Sequence, residues 1–65
     1  MGLPENLKAL RKSKGFSQRV LSEKSQVSYS MVSKLESGEQ KNPSLETLEK
    51  IASALDVDAS RLLDG

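Results

Sequence analysis

Ser17-Gln18-Arg19-Val20-Leu21-Ser22-Glu23-Lys24-Ser25-Gln26-Val27-Ser28-Tyr29-Ser30-Met31-Val32-Ser33-Lys34-Leu35-Glu36-Ser37-Gly38 is the stretch that decides the fold. Serine stands twice just ahead of a run with helical apolar spacing, and its hydroxyl is a good acceptor for the free N–H groups of a first turn. Ser17 is therefore expected to cap a short helix through Val20, Leu21 and Lys24 that ends near Ser25. Ser28 caps the next helix, from Tyr29 to Ser37, and Gly38 stops it by taking a left-handed conformation. Only Gln26 and Val27 are left between the two. On a helical wheel Val32 and Leu35 mark the buried side of the later helix, with Ser28 and Met31 beside them. Ser30, Ser33, Lys34 and Ser37 fall opposite, and Tyr29 lies on the shoulder in the first turn. Leu21 and Val27 point to the same interior.

On the N-terminal side, Leu3, Leu7 and Leu10 recur at intervals of four and three, which predicts a helix from about Pro4 to Lys14. Pro4 suits a first turn, Lys12 and Lys14 suit the negative end of the helix dipole, and Gly15 supplies the left-handed residue after it. On the C-terminal side, Gly38-Glu39-Gln40-Lys41-Asn42-Pro43 is a polar loop with two backbone punctuators. Ser44 then caps a helix whose apolar positions are Leu45, Leu48, Ile51, Ala52 and Leu55. Asp58 is expected to cap a last short helix carrying Leu62 and Leu63, before Gly65. The result is an all-α, compact five-helix bundle in one domain, residues 1–65.

The chain has 65 residues, with no Cys and no His. A domain of this size buries only about 60% of its unfolded surface. Disulfides, thiolate chemistry, Cys/His zinc sites and His-based catalytic relays are all excluded, so packing or a second subunit must supply stability. Hydrophobic residues never run more than two together, as at Val20-Leu21, which leaves no transmembrane helix and no signal-peptide core. A soluble, cytosolic protein with no membrane partner is the expectation. Carboxylates such as Glu46, Glu49, Asp56 and Asp58 have no nucleophile or Gly-rich phosphate cradle nearby and read as a solvated face and caps. No enzyme activity and no cofactor are expected.

Formal net charge is +1, but it is unevenly spread. Lys8, Arg11, Lys12, Lys14 and Arg19 against Glu5 give residues 1–19 a balance of +4; Lys41, Lys50 and Arg61 against six acids give residues 39–65 a balance of −3. A basic first third suits a polyanion, although an ordinary mixed surface carries such charges too.

Two short helices with so tight a connection have helix-turn-helix proportions. At this point the sequence resembles the phage-repressor and Cro-type (XRE-like) helix-turn-helix regulators. The matching stretches are Leu7-Lys8-Ala9-Leu10-Arg11, Gly15-Phe16-Ser17-Gln18, the run from Val27 to Gly38, Asn42-Pro43-Ser44-Leu45-Glu46-Thr47-Leu48, and Ile51-Ala52-Ser53-Ala54-Leu55. The resemblance implies a lambda-repressor-like DNA-binding domain of bacterial or phage origin, working in the cytoplasm. It implies phosphate contacts from Gln18, Lys41 and Asn42, and base contacts from Ser28, Tyr29, Ser30 and Lys34. It also implies a partly buried ion pair between Arg11 and Glu36, with a direct phosphate contact by Arg11 as the alternative. The family usually has Ala where Ser22 stands, and Gly where Gln26 stands. A left-handed Gln26 costs on the order of 1 kcal/mol.

Elementary chemistry supports the same roles. The start of the third helix offers free N–H groups and a positive dipole end, and its first turns can reach base edges. Lys34 is long enough to donate to guanine O6 or N7, and Tyr29 can donate a hydrogen bond or pack on a thymine methyl. The competing readings are a solvated Lys34 and a half-buried, space-filling Tyr29. The function expected is sequence-specific double-stranded DNA binding as a transcriptional repressor. A homodimer on DNA would read half-sites about 34 Å apart. An additional regulatory domain or partner protein would be the source of effector control. The alternative is an antitoxin-like protein-interaction module that binds a partner protein and autoregulates through DNA.

Overall fold

Three helices begin on a serine whose hydroxyl accepts the N–H of the third helical residue, each at 3.1 Å: Ser17 from Val20, Ser28 from Met31, and Ser44 from Thr47. Each cap satisfies one of the donors that a helix start leaves free. The computed structural model describes residues 2–64; Met1 and Gly65, the two ends of the expected domain range, lie outside the described residues. Among the described residues there are five helices and no strand: α1 Leu3–Ser13, α2 Gln18–Ser25, α3 Tyr29–Ser37, α4 Leu45–Ala54 and α5 Ser60–Leu63.

The helix ends are closed as firmly as the starts. After α1, Gly15 takes φ +76° while its N–H bonds to Lys12 O at 2.9 Å and the Phe16 N–H bonds to Arg11 O at 3.1 Å. This pair of bonds is a Schellman closure. The same pair recurs after α4, where Asp56 is left-handed at φ 58° and the Val57 N–H reaches Ala52 O at 3.0 Å. Gly38 ends α3 at φ 85°.

Two boundaries differ from expectation. α1 starts at Leu3 with Gly2 as its cap, because Glu5 Oε1 accepts the Gly2 N–H at 3.0 Å and draws one more residue into the turn; Lys14 is its C-cap. Asp58 does not cap α5. Ala59 occupies that place with helical dihedrals, φ −57° and ψ −29°, and the turn is closed by the Arg61 N–H on the Asp58 backbone oxygen at 2.9 Å.

The core is aliphatic. Leu7 of α1, Leu21 of α2, Val32 and Leu35 of α3, Ile51 of α4, Leu55 beyond it and Leu62 of α5 are fully buried, and Val27 fills the space under the connection. Burying one such side chain contributes roughly 1.5–3 kcal/mol. Leu45 and Leu63, expected on apolar faces, are exposed. α1 packs on α3 and α5, α2 on α3 and α4, and α4 on α5. This arrangement leaves one side of α3 uncovered. Asn6, buried in α1, donates Nδ2 to Leu62 O at 3.1 Å and to Asp64 O, which satisfies carbonyls that a one-turn helix leaves open.

Candidate nucleic-acid interface

How α3 is presented depends on the connection before it. Gln26 ends α2 in the left-handed region, at φ 59° and ψ 28°, with its side chain exposed. Serine hydroxyls hold the backbone on either side. Ser22 Oγ donates to Val27 O at 2.6 Å, Ser25 Oγ donates to Leu21 O at 2.7 Å, and the Val27 N–H donates back to Ser25 Oγ at 3.3 Å. Ser22 is thus more than a small residue at a close approach: it bonds across the turn. Buried polar groups must be paired to be tolerated, and Ser25 is paired three ways.

A carboxylate braces the other end of α3. Arg11 grips Glu36 through Nε to Oε2 at 2.6 Å and Nη2 to Oε1 at 3.0 Å, while its Nη1 donates to Phe16 O at 2.7 Å. The two side chains are 10% and 4% exposed, so this fork is largely out of water. The hydrogen bonds that Arg11 donates to the Glu36 carboxylate raise its guanidinium pKa above the ordinary value, with burial opposing. Arg11 is therefore committed to the fold, which speaks against its alternative role as a free phosphate ligand.

Between these braces α3 turns outward. Ser28, Tyr29, Ser30, Lys34 and Ser37 are exposed, with Tyr29 at 53%. Ser33, expected outward, is half-buried. Ser28 spends an acceptor lone pair on the Met31 N–H and keeps its own proton to donate. Lys34 has no carboxylate partner, since the ion pairs among the described residues are Arg11–Glu36 and Lys50–Glu46.

Lys41 and Asn42 are exposed in the loop beyond α3. That loop is tied back by the Gln40 N–H on Lys34 O at 3.1 Å and the Glu39 N–H on Ser37 Oγ at 3.3 Å. Gln18 is only half exposed, because Nε2 donates to Glu36 Oε1 at 3.1 Å. One amide proton and its backbone N–H at the start of α2 remain for a phosphate oxygen. Among the residues brought to this face, the sequence reading passed over Arg19, which lies 6.0 Å from the Tyr29 ring centroid. Its only sequence signal is a positive charge beside Gln18.

A helix-turn-helix family model matches residues 7–62. The chain is 43% identical over 60 residues to the HTH-type transcriptional regulator SinR of Bacillus subtilis (strain 168), a match covering 92% of this chain and 54% of that protein. The chain thus spans about half the length of this relative. Among solved structures it is similar to the N-terminal DNA binding domain of SinR from Bacillus subtilis, with a TM-score of 0.92, 41% identity and coverage of 97% of this chain and 91% of that one. It is equally similar to SinR, the master regulator for biofilm formation, in complex with DNA: TM-score 0.92, 42% identity, 95% of this chain and 98% of that one.

Proposed function

Since the chain belongs to the helix-turn-helix family of phage-repressor and Cro type, we propose that residues 1–65 form the sequence-specific, double-stranded DNA-binding domain of a bacterial transcriptional repressor. The observation that carries the reading is the uncovered side of α3, braced at both ends and polar along its exposed face, on a backbone similar to that of a relative solved on DNA. α3 enters the major groove. Ser28, Tyr29, Ser30 and Lys34 read base edges, while Gln18, Lys41 and Asn42 hold phosphates and set the register. Two copies read a two-fold operator with half-site centres about 34 Å apart, a spacing that bodies 25 × 20 × 19 Å in extent can occupy side by side. Its work is binding, not catalysis, and it takes place in the cytoplasm, where the DNA lies.

The same relatives support this reading over a module that binds a partner protein and touches DNA only for autoregulation, because they are named as transcriptional regulators. The test is selection from random duplex DNA, read by sequencing. Enrichment of a two-fold motif is expected. A pool that stays random over successive rounds overturns the proposal.

A further inference from the structure

The chain has one tyrosine and one phenylalanine, and neither belongs to the buried core. Phe16 is half-buried against that core and Tyr29 is exposed, and each ring has a cation near it. Lys24 Nζ is 5.2 Å from the Phe16 ring centroid, and the Arg19 guanidinium carbon is 6.0 Å from that of Tyr29. The surroundings of the two cations differ. Lys24 lines an open groove together with Glu46 and Glu49, so carboxylates face the same space. Arg19 is exposed, and neither ion pair among the described residues involves it.

Position makes the second pair the informative one. Arg19 is the second residue of α2 and Tyr29 the first of α3, so the pair bridges the starts of both helices of the motif, next to Gln18 and Ser28. A cation over a ring face is held by the ring quadrupole, only weakly where water reaches it. The larger effect is geometric. A guanidinium held by its face keeps its N–H edge free, and that planar fork of donors matches the oxygens of a phosphate. A positive group that makes no ion pair among the described residues and lies near an aromatic ring, beside an expected phosphate ligand, has the chemistry of a second such ligand.

We infer that Arg19 is a phosphate-contacting residue of this face and that the Tyr29 ring is the platform that positions it; the inference rests on the DNA reading proposed above. Tyr29 then has two jobs. One ring face holds Arg19, and the hydroxyl edge is what it offers to a base.

A salt titration of binding to a mixed-sequence duplex tests this, using the parent chain, Arg19→Ala, Tyr29→Phe, Tyr29→Ala and the Arg19→Ala/Tyr29→Ala double variant. Thermal melts serve alongside as a folding control. Arg19→Ala is expected to lower the salt slope by about one and to weaken binding about tenfold near 0.1 M salt, with an unchanged melt. Tyr29→Phe keeps the ring but loses the hydroxyl, so binding should weaken while the salt slope, which counts phosphate contacts, stays at the parent value. In the Tyr29→Ala background, removing Arg19 should cost a clearly smaller fold-change than in the parent. A parent that binds while Arg19→Ala leaves the slope unchanged overturns the inference alone, and so does an equal cost of Arg19→Ala in both backgrounds. A parent with no affinity for any duplex overturns the DNA reading itself.

Discussion

Gln18 Nε2 donates to Glu36 Oε1 at 3.1 Å, the same oxygen that accepts Arg11 Nη2 at 3.0 Å. One carboxylate thereby gathers α1, α2 and α3, and the residue expected to touch phosphate is tied to the pair that braces α3. Desolvation offsets much of the attraction in such a pair, but removing one partner strands the other charge. Arg11→Ala or Glu36→Ala is therefore expected to destabilise the domain by about 3 kcal/mol, a large share of the stability of so small a fold. An Arg11→Met/Glu36→Leu variant should return most of it. Urea melts decide the matter, and a loss under about 1 kcal/mol for either single variant contradicts the assignment.

Lys34→Ala should weaken binding to the selected site by about 1–3 kcal/mol and relax the preference at one base pair. Its exposed, unpaired position on α3 motivates this. Equal weakening on every sequence would make it a phosphate ligand.

Lys41→Ala should weaken specific and non-specific duplexes alike and lower the salt slope by about one. The loop that carries it is pinned to the end of α3 by the Gln40 N–H on Lys34 O, so its charge is held near the exposed face of α3. An unchanged slope refutes the contact.

Gln26→Gly relieves a left-handed glutamine whose side chain is exposed, a gain of roughly 1 kcal/mol partly cancelled by the added freedom of the unfolded chain. A gain between zero and about 1 kcal/mol is expected, with DNA preference intact. A loss above about 1 kcal/mol in matched urea melts would show that the Gln26 side chain does something its exposure conceals.

Glu5 supplies a pH dependence. Its carboxyl is held below the ordinary value by hydrogen bonds from its own backbone N–H and then from that of Gly2. A lowered folded value means that its contribution is complete above the ordinary carboxylate pKa and disappears as pH falls through the lowered one. Glu5→Gln should thus differ from the parent at neutral pH and converge with it in acid. By NMR titration, Glu5 should protonate below the ordinary glutamate value of the unfolded chain, and a midpoint at that value rules the effect out.

Local chemistry was legible in the sequence. The serine caps at 17, 28 and 44 and the left-handed glycines at 15 and 38 each depend on a handful of neighbouring atoms. Asp56 escaped notice because a left-handed Asp leaves no compositional mark of the kind Gly does, and Asp58 misled because an acidic residue before a helix resembles a cap whether or not it bonds. Asn6 could not be read at all: its carbonyl partners Leu62 and Asp64 lie at the far end of the chain. The Arg11–Glu36 pair came only through family resemblance, for the same reason of separation. At the interface, exposure of Ser30 and Lys34 followed from helical period, which put Ser28 beside the buried side and Tyr29 on the shoulder, but the approach of Arg19 to the Tyr29 ring depends on how two helices cross, which no spacing within either one encodes.

The chain contains a single tyrosine and no tryptophan, and that tyrosine stands half in solvent at the start of α3. Its ultraviolet fluorescence therefore originates from the candidate binding surface and not from the packed interior. Emission is a natural reporter of occupancy, quenched or shifted when something covers that surface, while melting of the aliphatic core passes almost unseen. Folding has to be followed by the helical signal in circular dichroism, and the two optical channels then report separately on docking and on order.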